Sequence, residues 1–406
     1  MTEKLKGNVL IGQSGGPTGV INQSLAGIVF EALKHEEITG IYGAAYGIKG
    51  ILSEDFFDLR QEDKATLEKV AATPCASLGS VRKKPDEEEC YKVLEICKKY
   101  NIRYFFYIGG NDSAETANII ADIASARDYE MRLFHVPKTI DNDLLITDHC
   151  PGYGTAAKFI AMAMMGDYLD NLSIPGIKID VIMGRHAGFL TAASSLARIY
   201  ENDAPHLIYL PENPFRVDRF LADVEDTYSR LGQAVIAVSE GISGEGGELL
   251  YTTGEVDSYG NVQLSGTGAL GDFLAKLVKK AIKTKGKLRV RSDTFGYLQR
   301  SFPGIVSEVD AREARLVGEE AVRMAISSAG NGSVALRRLG NGNDYGAETF
   351  ITPLSSIARR TKSMPPEFIA ESGNDITEDF ITYARPLVGS LPEIGRLKKV
   401  KVAKKI

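Results

Sequence analysis

Pro137-Lys138-Thr139-Ile140-Asp141-Asn142-Asp143 follows directly on Met131-Arg132-Leu133-Phe134-His135-Val136. The residues before the proline form an apolar run of the length of a buried strand. Two carboxylates, an amide, a hydroxyl and an ammonium therefore gather where that strand ends. In open α/β sheets ligands bind outside the carboxyl ends of the strands. A solvated turn can hold such groups, but it rarely needs so many on one side of a proline. Asp141 or Asp143 is a candidate base and Lys138 a cation, the groups that phosphoryl transfer asks for.

The same pattern recurs outward from this stretch. Asn8-Val9-Leu10-Ile11 runs into Gly12-Gln13-Ser14-Gly15-Gly16-Pro17-Thr18-Gly19, and apolar positions 20, 21, 25, 28, 29, 32 and 33 then mark one helix face. A helix from about Pro85 to Tyr100 precedes a strand over 102–108, which ends in Gly109-Gly110-Asn111-Asp112-Ser113 at the start of another amphipathic helix. After residue 151 come a helix over 155–169, a strand over 177–183, the turn Gly184-Arg185-His186-Ala187-Gly188 and a helix through Arg198. Strands are predicted at 206–210, 234–239 and about 288–294, with a helix near 270–283. The helix 310–327 and the segment 334–353 are predicted to return to the first half. Strands alternating with helices imply parallel sheets with right-handed crossovers.

The fold class is therefore α/β. We expect two Rossmann-like three-layer domains with mostly parallel sheets and the active site in the cleft between them, since 406 residues exceed one simple core. The expected division is 1–150 plus about 297–360, then 151–296, then a C-terminal extension over 361–406 that packs on the core and ends in a basic tail from Arg396. That tail reads as a solvated end.

Hydrophobic residues at 44% and charged residues at 25% are ordinary for a globular chain. A net charge of −5 argues against nucleic-acid binding, and no apolar run is long enough to span a bilayer. The start, Met1-Thr2-Glu3-Lys4-Leu5-Lys6, shows no signal-peptide core. Four cysteines (Cys75, Cys90, Cys97, Cys150) lack metal-ligand spacing, so a reducing cytoplasm is the expected compartment. The histidines are scattered, and His135 within a strand reads as a satisfied core residue.

Each strand end also has a plainer reading. Ser14 to Gly19 would aim backbone N–H groups at a phosphate, yet tight strand-to-helix turns use glycine for steric reasons alone. Asp112 or Ser113 could be an ordinary helix cap. Met183-Gly184-Arg185, Glu240-Gly241, Arg289, Arg291 and Arg300 could be surface groups. Several arginines opposite an anion-cradling domain instead suggest a phosphorylated substrate.

In order along the chain, seven segments resemble the motif set of the phosphofructokinase family, from about Val9 to Arg360. They are Ser14-Gly15-Gly16-Pro17, Gly79-Ser80-Val81-Arg82, Gly109-Gly110-Asn111-Asp112-Ser113, Thr139-Ile140-Asp141-Asn142-Asp143, Met183-Gly184-Arg185, Ser239-Glu240-Gly241 and Gly296-Tyr297-Leu298-Gln299-Arg300. The resemblance implies transfer of a phosphoryl group to the 1-hydroxyl of fructose 6-phosphate, with Asp141 as base and Thr139 and Asp143 beside the substrate. Met183, Gly184, Arg185, Glu240, Arg291, Tyr297 and Arg300 would hold the sugar phosphate, while Gly16 and Arg82 would touch the donor.

ATP-using members carry glycine where this chain has Asp112 and Lys138. A carboxylate at 112 would fill the region of the nucleotide's α-phosphate, and an ammonium at 138 would stabilise a shorter donor. Both features match the pyrophosphate-dependent branch, whose reaction is reversible and serves glycolysis and gluconeogenesis. Mg²⁺ is the implied cofactor, with Asn111 standing where relatives usually have an aspartate ligand. A homodimer or homotetramer is implied as well.

Other departures are Tyr297 in place of histidine, and no arginine over 175–178 where tetrameric relatives send one into a neighbouring subunit; either Lys178 substitutes for it or the subunit arrangement differs. The charged run Asp86-Glu87-Glu88-Glu89 replaces a donor-side arginine of ATP users, with Lys83 and Lys84 close by. The competing readings are an ATP-dependent enzyme and a silent sugar-phosphate sensor; the retained Asp141 argues against the second. A dinucleotide-binding oxidoreductase lacks its G-x-G-x-x-G spacing here.

Overall fold

A computed structural model describes residues 5–251, 268–284, 286–327, 330–358 and 361–404; Met1 to Lys4, Arg360, Lys405 and Ile406 lie outside the described residues. In the first half, β1 (Gly7–Gln13), β2 (Ile38–Ala44), β3 (Phe56–Asp58), β4 (Ile102–Gly109) and β5 (Arg132–Pro137) alternate with α1 (Ile21–Ala32), α2 (Ile48–Leu52), α3 (Lys64–Ala71), α4 (Glu87–Lys99) and α5 (Asn111–Ala126). Next come α6 (Tyr153–Ser173), β6 (Ile177–Ile182), α7 (Phe189–Ala193), β7 (Leu207–Tyr209), α8 (Val217–Leu231), β8 (Ala234–Ser239), α9 (Ala269–Ala281) and β9 (Val290–Thr294). The chain closes with α10 (Glu308–Ser327), β10 (Gly332–Leu339), β11 (Gly346–Thr352) and α11 (Glu378–Val388).

Two sheets result. One has the order β11-β10-β5-β4-β1-β2-β3 and the other β7-β8-β6-β9. In the first, β10-β5-β4-β1-β2 run parallel and the edge strands β3 and β11 are antiparallel. The second is parallel throughout. Because both faces are covered, the strands read as continuous apolar runs. Val9 and Ile11 of β1 enter a core with α1 and α10 on one face, while Leu10 enters a core with α4 and α5 on the other. This is a two-domain, three-layer α/β architecture.

Strand order places the site. From β1 the chain steps to β2 on one side, whereas β4 lies on the other, so the order reverses between β1 and β4. Loops leaving the two strands part there and open a crevice, as in other doubly wound sheets. The Gly-rich turns at 14–19 and 109–113 border that crevice.

Predicted elements are present within a few residues of their expected ends, and the segment 334–353 becomes the β10–β11 hairpin on the first sheet. β2 and β3 carry too little pattern to be read: Ile-Thr-Gly-Ile-Tyr-Gly-Ala has two glycines, and β3 has three residues. The acidic run at 86–89 has a local cause. Asp86 and Glu89 form a reciprocal cap at the start of α4, with Glu87 and Glu88 in its first turn, where the helix dipole favours negative charge. Cys90 and Cys97 are buried beneath that helix as apolar filler.

The C-terminal extension is part of the core. Phe380, Ala384, Leu387 and Val388 of α11 are buried against α6, and Phe380 packs edge-on to Phe368 at 5.7 Å between ring centroids. After α11, Leu391 and Ile394 still pack on that core and Arg396 pairs with the buried Asp203; past Arg396 the tail is solvated, with Leu397, Val400 and Val402 each more than four-fifths exposed. Phe380→Ala is expected to cost about 3–5 kcal/mol of stability by opening a cavity. Urea denaturation of the purified variant measures it.

Candidate active site

Lys138 is the first residue beyond β5, and its backbone N–H donates to the Gly109 carbonyl, 3.0 Å away at the end of β4. Its side chain is 4% exposed, and Nζ donates to the Gly16 carbonyl at 2.7 Å. One ammonium thereby joins the three strand-end loops of the first domain. Gly15 has φ +76° and lies under that ammonium, where a β-carbon would stand 3.3 Å from Nζ. At Gly16 a β-carbon would meet Arg300 Nη1 at 2.6 Å and Arg82 Nη2 at 3.6 Å. Only a residue without a side chain lets the two guanidiniums close on this turn. Burial, helped by Arg300 and Arg82, pushes the Lys138 ammonium down to about 7.

The loop that follows sorts its side chains by direction. The Asp141 N–H donates to Thr139 Oγ1 at 3.1 Å. Asp141 and Asp143 face the cleft, and burial raises both carboxyls above the ordinary carboxylate range. Glu240 adds to the rise at Asp141 and is opposed by Arg300, Lys138 and Arg185; Asp141 itself adds to the rise at Asp143. Asn142, fully buried with φ +59°, points the other way. Its Nδ2 donates to Tyr383 Oη at 2.7 Å, and its Oδ1 accepts from the Cys150 N–H at 2.9 Å. Lys362 holds the same loop from behind: its N–H donates to the Asp143 carbonyl at 2.7 Å and its Nζ to the Thr147 and Asp148 carbonyls.

Across the cleft stand the strand ends of the second domain. Met183 follows β6, and its N–H is accepted by Gln299 Oε1 at 3.1 Å. Glu240 follows β8, while Tyr297 and Arg300 lie in the turn after β9, with the Arg300 guanidinium 4.7 Å from the centre of the Tyr297 ring. The cleft has a volume of about 510 Å³. Gly16, Arg82, Asn111, Asp112, Lys138, Thr139, Asp141, Asp143, Met183, Arg185, Glu240, Tyr297 and Arg300 all line it.

Two expected residues are not brought to the cleft wall. Gly184 lies behind it with φ +143°, where a β-carbon would strike the Ala187 carbonyl at 2.7 Å; its contribution is the turn itself. Arg291 is exposed on β9, three residues before the strand ends, and its Nη1 donates to the Val290 carbonyl. Lys178 is no outward-reaching substitute for an arginine, because it is buried in ion pairs with Asp167 and Asp293. Lys83 pairs with Glu89, and Lys84 pairs with the buried Glu115 at 2.6 Å, so both are engaged by the protein's own carboxylates. Neither Asp112 nor Ser113 caps α5; Gly110 is the cap, and Asn111 Oδ1 accepts from the Asp112 N–H.

His186 and Thr361 also line the cleft and were not singled out as site residues from sequence. His186 sits beside Arg185, a signal within reach. Thr361 Oγ1 lies 3.5 Å from Asn111 Nδ2, 250 residues away in the chain, and nothing local announces it. His135 is a satisfied core residue, its ring nitrogens 2.7 Å from Ser333 Oγ and 2.9 Å from the Gly109 carbonyl.

Paired carboxylates and a buried ammonium on one α/β domain, facing guanidiniums on another, define a phosphoryl-transfer class of enzyme. The phosphofructokinase description matches residues 8–325, and the chain belongs to that family. It is 51% identical over 404 residues to a pyrophosphate–fructose 6-phosphate 1-phosphotransferase from Rhodospirillum rubrum, covering 98% of both chains. A Xanthomonas campestris protein of the same description is 37% identical, again with 98% of both chains covered. Among solved structures, a pyrophosphate-dependent phosphofructokinase from Nitrosospira multiformis superposes with a TM-score of 0.85 at 34% identity over 98% of each chain.

The amide of Asn142 ties the carboxylate loop to α11 through Tyr383 and to the segment before α6 through the Cys150 N–H, from a left-handed conformation that suits asparagine. Asn142→Ala is expected to lower stability by about 2–4 kcal/mol and turnover by more than the folded fraction explains. Urea melts set beside kcat at a temperature where the variant is folded check both.

Proposed function

We propose that this chain transfers a phosphoryl group reversibly from inorganic pyrophosphate to the 1-hydroxyl of fructose 6-phosphate, giving fructose 1,6-bisphosphate and phosphate. The carrying observation is the pairing of an exposed Asp112 carboxylate with the buried Lys138 ammonium on the donor side of one cleft.

In this reading Asp141 accepts the proton of the attacking hydroxyl, and its raised carboxyl keeps it near the working pH of a general base. The hydroxyl oxygen then bonds to the transferred phosphorus while the bridging oxygen of pyrophosphate leaves with its electron pair as phosphate. Lys138 and Arg82 neutralise charge on the donor, and Gly16 lets it approach the backbone. Thr139 and Asp143 border the acceptor hydroxyl, and Met183, Arg185, Glu240, Tyr297 and Arg300 hold the sugar phosphate. Gly184 shapes the turn behind them. Arg291 has no contact to make in this cleft; a neighbouring subunit's site is the place it can reach, in keeping with a homodimer or homotetramer. The donor side is assigned to residues 1–150 plus about 297–360 and the sugar side to 151–296; Tyr297 and Arg300, just past that boundary in the turn after β9, reach over to the sugar side.

The donor set suits Mg²⁺. Among the described residues no three carboxylate, histidine or cysteine groups converge in the cleft. Mg²⁺ is commonly held by one or two carboxylates together with substrate phosphates. Asp112, Asp141 and Asp143 offer hard oxygens, and Asn111 Oδ1 keeps one lone pair beyond the Asp112 N–H. When bound, the ion would neutralise charge on the phosphates. Among the described residues no helix is long and apolar enough to cross a membrane, and we place the activity in the cytoplasm.

Purified protein with fructose 6-phosphate and Mg²⁺ is expected to turn over with pyrophosphate and not with ATP; the reverse would overturn the donor assignment. Replacing both Asp112 and Lys138 by glycine should admit some ATP and weaken pyrophosphate use. Asp141→Ala should lose at least about a hundredfold in kcat, as expected for a general base.

The pH dependence follows from opposite shifts. Asp141 must be ionised, and its raised carboxyl means that activity fades as pH falls through a range where an ordinary carboxylate is still charged. Lys138 must be protonated, and at about 7 it loses its charge as pH rises, far below the usual ammonium range. A narrow bell in kcat/KM between these limits is expected. Lys138→Arg should remove the alkaline limb alone.

A further inference from the structure

Strand β6 is buried at every position, yet it carries two charged residues, Lys178 and Asp180. Ile177, Ile179 and Val181 pack toward α8 and α9, so Lys178 and Asp180 face α6. The ammonium of Lys178 contacts Asp167 on α6, lies 3.0 Å from Asp293 on β9 and 3.9 Å from Asp170. Asp170 is taken up by Arg289 at 3.0 Å. Asp180 pairs in register with Asp293 across the parallel strands. It is fully buried, and neither of its carboxylate oxygens has a hydrogen-bond partner; Asp167 Oδ2 is likewise buried and unpartnered.

Oxygens of Asp167, Asp180 and Asp293 lie within 4.8 Å of one another. Some single point is then within about 2.8 Å of all three, close to the ~2.3–2.6 Å of calcium–oxygen bonds and loose for the ~2.0–2.1 Å of magnesium. Three carboxylates against one ammonium leave two negative charges, the complement of one divalent ion. We propose that Asp167, Asp180 and Asp293 bind a divalent cation of calcium or manganese size beside Lys178, outside the catalytic cleft.

Such an ion would clamp β6 to β9 and both to α6. These are the strands that deliver Met183 and Arg185, and Tyr297 and Arg300, to the cleft. It would also remove the cost of an unpaired carboxylate inside the sheet. Without it, burial pushes the Asp180 carboxyl up to about 8, opposed by Lys178 and reinforced by Asp293, so uptake of the ion at pH 7 should release a proton. Other charged groups near the cluster are Asp170 and Arg289, which pair with each other, and the exposed Arg291; Lys158 of α6 donates to the Val306 carbonyl, and Asp272 of α9 accepts from Ser292. The neighbouring residues of β8, Val235 and Ala237, are apolar.

Calorimetric titration of the chelator-treated, substrate-free enzyme with CaCl₂ and with MnCl₂, in two buffers of different ionisation enthalpy, tests this. One equivalent is expected, with proton release and a higher melting temperature. Asp180→Asn should weaken that binding by about tenfold or more, as loss of a charged ligand does. Asp293→Asn, at a more exposed position, should do the same. Asp141→Asn in the cleft should leave the equivalent intact. Absence of binding to the parent enzyme would overturn the proposal, as would unchanged binding in both Asp180→Asn and Asp293→Asn; Asp180 would then simply be a protonated acid.

Discussion

A single ammonium, buried where three loops meet, fixes the geometry of everything around it. Lys138 cannot be hydrated at 4% exposure, so its charge must be answered by the protein. The Gly16 carbonyl answers it directly, and the Asp141 and Asp143 carboxylates answer it through the field. That arrangement sets Gly16 against β4 and β5, where a β-carbon at the turn would push the Arg300 guanidinium aside. The same low-dielectric pocket raises the two carboxyls and lowers the ammonium. The free site is therefore electrically tense, and a substrate bringing phosphates would relieve it.

Such tension persists only if the loop is held from outside. Asn142, Cys150, Tyr383 and Lys362 do this through hydrogen bonds that run to the C-terminal extension. Helix α11 is therefore more than a packing element over α6. Through Asn142 it restrains the conformation that keeps Asp141 and Asp143 on one side of the loop while the residue between them points to the other. Stability and site geometry are joined at this amide.

The strand ends were legible in the sequence because buried parallel strands are apolar throughout and stop abruptly. Glycines and polar groups crowded behind Ile11, Ile108, Val136 and Ile182 could have few other reasons to be there. Lys138 was legible as the cation of its strand-end cluster, but the bearing of Lys138 and Asp112 on the donor was legible only against a family pattern, since Asp112 alone could be a helix-start acid. What escaped depends on contacts across distant chain. Thr361 meets Asn111 through tertiary folding, and the two uses of the Asp141–Asp143 loop are decided by one left-handed residue. Arg291 shows the limit from the other side. The family resemblance placed it with the sugar-phosphate arginines, and its position within β9, not after it, sets it off the cleft wall of its own chain. Lys178 and Asp180 broke the apolar rule inside a strand, and that break marks a second charged centre.

Donor choice in the proposed reaction reduces to who occupies a helix start. Helix α5 begins at Asn111 behind the Gly110 cap; its Asp112 N–H is taken by Asn111 Oδ1, but the helix start still presents a positive potential to any phosphate. Asp112 stands in that first turn with its carboxylate on the cleft side. Its charge is favoured there by the helix itself, so the free enzyme bears little cost for keeping it. A nucleotide would have to bring a further phosphate up to a place already negative, and desolvation of the cleft would sharpen the repulsion. In the proposed reaction pyrophosphate would end before that point, and its charge would meet Lys138 and Arg82 instead. On the proposed reading one helix acid and one buried ammonium would suffice to select the shorter donor without altering the carboxylate that would take the proton.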